Sequence, residues 1–466
     1  MQHIVIPDVE PIQAALGGLP TTFEAPPHVY AVCCPRFKLA PLAERPGLQH
    51  PQLRLYLHVP FCSYKCSFCN YAVLIRRADD SEIMQRYVAA VRAELEWIEP
   101  GTRLSQLFVG GGTPTALPPH LLDQLLKAAL ERLDTSRAEV NVCESSPETV
   151  TPQHAEVMAR NGIGRVSMGV QSLNESVLDA ITRRHSVRQA EDAIRMLAET
   201  GLIVNIDLIY GLPRQTEGDF RRDVLRASEL GAHSLTLYEL RLGELTPIGA
   251  TLAENERLDL ERLIRWRSVV RAVTAEAGFV QTRWHTYKRE QGVAQAHSWI
   301  PTFDAMSDGF QFGVGNSARS HLGFTVYRNV RTPQAYMKRI AAGESPVEEV
   351  FELDDEDRRT MYLARSIGDG GIIDREHYRA AFGRSFDRDY GPRLERLVDS
   401  SLVWDDGNRI GLMETGKLVH DRVTMSLYPP KAIEALRAKA DRIDQRIHER
   451  VKRTKRGRRL PRSAGQ

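Results

Sequence analysis

Three cysteines, Cys62, Cys66 and Cys69, fall within eight positions as Cys-Ser-Tyr-Lys-Cys-Ser-Phe-Cys. Thiolates on one short loop can hold three irons of a cubane cluster and leave the fourth iron open to a substrate. Structural zinc sites take four protein ligands, commonly from two Cys-x-x-Cys pairs, and no matching second pair occurs here. The clustering is also unlike a distributed disulfide framework, and it points to metal or redox chemistry in a reducing compartment. The remaining cysteines, Cys33, Cys34 and Cys143, read as small buried residues or reducible surface thiols.

Other residues with chemical potential lie further along. Gly110, Gly111 and Gly112 lack side chains, so the backbone there can approach a ligand and offer N–H groups to an amino-acid moiety. Glu144 can accept hydrogen bonds from an ammonium or from ribose hydroxyls. Three further groups, His58, His285 and Tyr287, are possible proton handlers, although a lone histidine is more often structural.

The elements that must position these groups are short apolar runs alternating with helical patterns. Strands are expected over Leu53–Val59, Gln106–Gly110, Glu139–Cys143, Arg165–Met168, Val204–Ile209 and Ser234–Tyr238. Helices are expected between them, over Ser81–Trp97, His120–Leu133, Pro152–Asn161, Asn174–Ile181, Val187–Thr200 and Thr216–Glu229. Six such repeats predict an α/β fold, a partial (β/α)6 barrel. Active groups in such barrels gather at the C-terminal ends of the strands. Cys62, Gly111, Glu144, Gln171, Asp207 and Arg241 each follow closely on an expected strand.

The chain divides into a leader or lid over 1–52, rich in proline, and the barrel over 53–250. An extension over 251–353 holds a helix from Ala250 to Gly278 and an irregular Gly-rich stretch, Ser307–Gly323. A small winged-helix-like α+β unit spans 354–428, and a charged helical tail fills 429–466. At 466 residues, 42% hydrophobic, 26% charged and with a net charge of +2, the composition favours no charged partner. The basic run Lys452–Arg459 has no interleaved aromatic residues and reads as a solvated tail, which argues against nucleic acid. No apolar run approaches the roughly 20 residues needed to cross a bilayer, and Met1–Pro11 lacks a signal-peptide order. The expected location is the cytoplasm, with no membrane partner.

The loop Cys62-x-x-x-Cys66-x-x-Cys69 directly after a strand resembles the radical S-adenosylmethionine (SAM) superfamily. Tyr56-Leu-His-Val-Pro-Phe-Cys62, Gly110-Gly-Gly-Thr-Pro-Thr115, Ser167-Met-Gly-Val-Gln171 and Asn205-Ile-Asp-Leu-Ile-Tyr-Gly-Leu-Pro213 are similar to oxygen-independent coproporphyrinogen III oxidase and its relatives. The similarity runs over roughly residues 53 to 428. It implies a 4Fe-4S cluster on the three cysteines, whose open iron chelates SAM and whose electron yields a 5'-deoxyadenosyl radical. It also implies contacts to one SAM from Gly111, Gly112, Thr113 and Glu144. Gln171, Arg183 and Asp207 match positions that contact a second SAM, with Arg184 able to exchange with Arg183. Tyr56 and Phe68 match aromatic residues placed against the two SAM molecules. An electron donor such as a flavodoxin or ferredoxin and a small-molecule substrate are likewise implied.

Two departures bear on the reaction. Asn70-Tyr71 follows Cys69, whereas the oxidase loop continues with a further cysteine one residue on, and the leader does not match the oxidase leader. Arg241 and Arg319 also replace apolar or small residues of that family. The main expectation is radical C-methylation or cyclopropanation, with one SAM as radical source and the other as carbon donor. Coproporphyrinogen oxidation and a haem chaperone are the alternatives, and the long leader counts against the chaperone.

Overall fold

In the computed structural model the chain is described over residues 6–16, 38–39, 53–75, 81–242, 246–250, 252, 259–289, 310–323 and 325–458. The alternating runs form parallel strands Leu53–Val59, Leu104–Gly111, Asn141–Ser145, Ile163–Gln171, Ile203–Tyr210 and Ser234–Glu239, adjacent in that order. Helices Ser81–Leu95, Pro119–Leu130, Pro152–Arg160, Val187–Ala198 and Glu217–Glu229 lie between them in sequence. Capping boxes at Ser186 and Thr216 fix where two of these helices start, because the side chains satisfy backbone N–H groups the helix cannot.

Alternation along each strand separates two faces. Leu55, Leu57 and Val59, Val166 and Met168, and Val204, Ile206 and Leu208 pack in the main core beneath the helices. Each such side chain contributes on the order of 1.5–3 kcal/mol by leaving water. The opposite positions are polar: Arg54, Tyr56 and His58, then Arg165, Ser167 and Gln171, then Asn205 and Asp207. They share the inner face of the barrel, as strands with a period of two require.

The expected irregular stretch Ser307–Gly323 is corrected. Phe310–Val314 is a strand pairing parallel with Leu53–Val59, and Arg319–Leu322 returns antiparallel beside it. Glycines in this segment suggest a loop, yet Gly313 is needed inside the strand. A Cβ there would stand 2.3 Å from the Arg319 carbonyl oxygen. The parallel array therefore has seven strands. Antiparallel strands extend the sheet at both ends, through Thr325–Asn329 and Val347–Glu352 on one side and Thr286–Arg289 and Phe279–Gln281 on the other.

Helix Leu260–Glu276 begins later than expected, where the Asp259 side chain accepts from the Arg262 N–H. Beyond it, helices Asp355–Arg365, Arg375–Phe382 and Phe386–Asp399 pack with a three-stranded sheet of Ile373–Asp374, Arg409–Leu412 and Val403–Asp405. These elements contribute most of a second core. Ile12, Ala15 and Leu16, at helix Val9–Ala15 of the leader, join that core. So do Ala432 and Leu436 of the tail helix Pro430–Arg458. Most of the leader, Cys33 and Cys34 included, and the side chains of Lys452–Arg459 lie outside the described residues. Among the described residues no helix is long and apolar enough to cross a membrane.

Candidate cluster and cofactor site

The cysteine loop leaves the first barrel strand and is bolted to the segment after helix Glu175–Ala180. The Ser67 N–H donates to the Ile181 carbonyl (3.1 Å) and to Thr182 Oγ1 (2.9 Å), and the Ser67 carbonyl accepts from the Ile248 N–H (2.9 Å). The Arg184 N–H donates to the Tyr64 hydroxyl at 3.1 Å, and the Arg183 and Arg184 guanidinium groups lie over the Tyr64 ring. Thr182 sits at φ +56°, a left-handed conformation that non-glycine residues adopt only when their surroundings demand it. That strain is stored where the loop docks.

The three thiols are electrostatic neighbours of one another. Cys62 Sγ is 3.5 Å from Thr113 Oγ1, Cys69 Sγ accepts from the Tyr71 N–H at 3.4 Å, and Cys66 Sγ accepts from Arg183 Nη1 at 3.3 Å. Burial pushes the Cys62 thiol up to about 12 and also raises Cys69, each further raised by the neighbouring cysteines. Such thiols become thiolates when a cation binds them. Among the described residues no three His, Cys, Asp or Glu side chains converge on a single ion. Ligands of a cubane serve different irons and stand further apart, so the loop fits a 4Fe-4S cluster.

Arg183, not Arg184, enters this site. Nη2 donates to Ser146 Oγ (3.0 Å) and to the Gly169 carbonyl, and it lies 3.9 Å from Glu148 Oε2. His185 Nδ1 is 3.6 Å from the same carboxylate oxygen. Burial pushes the Glu148 carboxyl up, but His185 and Arg183 outweigh it and hold the group down to about 2.

Further along the same rim, the free N–H groups expected at the glycines are corrected. The Gly111 N–H donates to Glu144 Oε2 (3.0 Å), Gly112 to the Val59 carbonyl (2.7 Å) and Thr113 to the Phe61 carbonyl (2.8 Å). The donors are used to hold the glycine turn against the cysteine loop, so an ammonium ligand would be met by carbonyl and carboxylate oxygens. Gly111 has φ +113°, and a Cβ there would meet the His58 ring at 2.5 Å. Gly110 lets Glu144 approach, since a Cβ would stand 2.6 Å from its Oε2.

Burial, then the nearby Asp207, raises the Glu144 carboxyl to about 7. Burial likewise raises Asp207 to about 6, although Arg165 and hydrogen bonds from Ser167 Oγ (3.2 Å) and Asn205 Nδ2 (2.7 Å) oppose it. Gln171 ends its strand at φ +74° and folds its side chain back over Gly169. Tyr56 stacks on Phe108 and bonds through its hydroxyl to His58 Nδ1 at 3.0 Å. Phe68 differs from the other candidates: it packs against an apolar cluster that includes Val177, Ile181, Ile209 and Leu240.

Of the possible proton handlers, burial holds His58 and His285 down to about 4. Tyr287 belongs to the main core. Sequence reading missed Arg165, Tyr71 and Tyr238. Arg165 is 1% exposed, its Nε and Nη1 have no hydrogen-bond partner among the described residues, and Asp207 and Tyr238 are its charged and phenolic neighbours. The signal was present in the alternation Arg165, Ser167, Gly169, Gln171, which puts the arginine on the inner face. Tyr71, 64% exposed, interacts with Glu144, Asp207 and Arg319.

A mostly parallel sheet with three thiols on the loop after its first strand has the arrangement of a radical SAM domain. Residues 56–227 match the Radical SAM superfamily, and the chain matches its oxygen-independent coproporphyrinogen III oxidase-like members. The heme chaperone HemW of Lactococcus lactis is 27% identical over 376 residues, covering 79% of this chain and 95% of that protein. The oxygen-independent coproporphyrinogen III oxidase of Bradyrhizobium diazoefficiens is 26% identical over 385 residues, covering 78% of this chain and 84% of that protein. In fold, the chain is similar to the Escherichia coli coproporphyrinogen III oxidase HemN, with a TM-score of 0.71, 22% identity, and coverage of 82% of this chain and 91% of that one.

Proposed function

We propose that this chain binds a 4Fe-4S cluster through Cys62, Cys66 and Cys69, binds SAM above it, and handles haem in the manner of a chaperone. The observation that carries this reading is the loop after Cys69. Tyr71, an exposed side chain whose hydroxyl feels the charges of Glu144, Asp207 and Arg319, occupies the position where the oxidase loop has a further cysteine. Relatives named as haem chaperones match most of this chain at nearly their full length, including one from Mycobacterium tuberculosis that is 28% identical over 409 residues. The leader helix serves the C-terminal core, so its presence weighs against no reading. Arg165, within electrostatic reach of Asp207, and Arg319, within reach of Tyr71, suit carboxylates such as the propionates of a tetrapyrrole.

When bound, the cluster supplies the electron that cleaves SAM to a 5'-deoxyadenosyl radical, an electron that a flavodoxin or ferredoxin would deliver. The chain's own part is to hold the cationic SAM. Glu144, held by the Gly111 N–H, would accept from its ammonium, with the Gly111–Thr113 turn beside that carboxylate and Tyr56 on the same inner face. Radical C-methylation is the second reading, favoured by Gln171 and Asp207, which extend the polar inner face beyond the first set and suit a second SAM.

The test is anaerobic reconstitution followed by haem titration, then incubation with SAM, dithionite and coproporphyrinogen III. Haem bound one to one, with coproporphyrinogen III left unconsumed, supports the proposal. Consumption of the porphyrinogen, or accumulation of S-adenosylhomocysteine, overturns it in favour of oxidation or methyl transfer.

The raised carboxyls give a pH signature. Glu144 near 7 and Asp207 near 6 are partly protonated in mild acid, and only the ionised forms attract the ammonium and sulfonium of SAM. SAM affinity measured by calorimetry should rise between pH 6 and pH 8 by up to about tenfold, the change in ionised fraction for a group titrating near 7. Glu144→Gln should flatten most of that rise. A pH-independent affinity in the unaltered protein would contradict the assignment.

A further inference from the structure

Arg183 is the one described side chain that places a charged donor on a cysteine sulfur of the loop. Its Nη1 lies 3.3 Å from Cys66 Sγ. The guanidinium is anchored at the other nitrogen by Ser146 Oγ and the Gly169 carbonyl, and it is 7% exposed. Water therefore screens the interaction poorly, and the group has little freedom to turn elsewhere. Glu148, 3.9 Å away, is itself flanked by the fully covered His185 ring. The segment is held in place by the strained Thr182, whose hydroxyl accepts from Ser67 N–H within the cysteine loop.

We propose that Arg183, held by Ser146, Gly169 and Glu148, is a positioning residue that raises the reduction potential of a cluster bound at Cys62, Cys66 and Cys69. One-electron reduction adds a negative charge to the cluster and its thiolate sulfurs. A fixed positive charge and an N–H donor on one of those sulfurs stabilise the reduced form more than the oxidised form. Glu148 opposes this effect, because its negative charge offsets part of the guanidinium field. The two residues therefore act with opposite signs. The inference rests on the three cysteines holding a cluster, which iron and sulfide counts read separately from potential.

The experiment is a dithionite titration of the reconstituted full-length protein without SAM, following the reduced cluster by electron paramagnetic resonance. With Arg183→Met the midpoint should fall, so that at the wild-type midpoint the reduced-to-oxidised ratio drops by about tenfold, equivalent to about 59 mV for one electron. Arg183→Lys, which keeps the charge but not the fork, should fall less. Glu148→Gln should move the midpoint upward, and it keeps the proposal testable where Arg183→Met loses its cluster. Midpoints unchanged in Arg183→Met and Glu148→Gln at full iron content overturn the proposal. So does a loss of SAM affinity in Arg183→Met with no change in the SAM-free midpoint, which would make Arg183 a SAM ligand instead.

Discussion

Cys66→Ala is expected to abolish cluster binding, with iron and sulfide falling to background after anaerobic reconstitution, while the fold is retained. Among the described residues the proposed cluster has three thiolates from one loop as its ligands, and two cannot hold three irons of a cubane. The backbone contacts that dock the loop, at Ser67, Ile248 and Leu74, do not pass through the Cys66 sulfur. Its truncation therefore removes a ligand and one bond from Arg183 without releasing the loop. Circular dichroism and the denaturation midpoint should stay close to wild type. Cys143→Ala is the control, because that thiol is fully buried in the main core and donates a hydrogen bond to the Glu144 carbonyl. It should keep its iron. Stoichiometric iron and sulfide in Cys66→Ala would remove the cluster from this loop.

The contrast between Cys66 and Arg165 marks what was legible in the sequence. Cys62, Cys66 and Cys69 are local, and their spacing alone specifies three thiolates on one loop. The six barrel strands were legible for the same reason, since each is a short run with its own period. Strand Phe310–Val314 was not, because its glycine answers to a contact with Arg319 made only after the chain has folded back. Arg165 was overlooked because an arginine in an apolar run reads as an edge or an exception, although its alternation with Ser167 and Gln171 fixes its face. The opposite error concerned the glycine turn, where a lack of side chains suggested free donors. In the structure those donors are committed to Glu144, Val59 and Phe61. Sequence reports which groups can approach a ligand, and only the assembled hydrogen bonds decide which remain available to it.

The largest effect on stability is expected at Arg267, which no motif singles out. From helix Leu260–Glu276 its Nη1 donates to Asp421 Oδ1 (2.9 Å) and to the Leu418 carbonyl (2.8 Å), and its Nη2 reaches both oxygens of Glu239 (3.3 and 3.2 Å). Glu239 ends the last of the six barrel strands, and Asp421 lies in helix His420–Ser426 of the C-terminal unit. All three side chains are buried, with Tyr210, Arg241 and Arg422 completing the network. Burial pushes both carboxyls up, but Arg241 and Arg267 hold Glu239 well below its ordinary value, and Arg267 and Arg422 do the same for Asp421.

Arg267→Met keeps most of the volume but leaves two buried carboxylates short of their shared partner. Removing one member of a buried ion pair costs about 3–5 kcal/mol. The urea midpoint should fall accordingly. The sign with pH follows from the depressed carboxyls: they add stability at neutral pH, and it is lost as pH falls below the ordinary carboxylate range. The deficit of Arg267→Met relative to wild type should therefore shrink in acid. Adding Glu239→Gln to Arg267→Met should recover part of the loss by removing one orphaned charge. A midpoint unchanged in Arg267→Met would mean that the barrel and the C-terminal unit are held together by their apolar contacts alone.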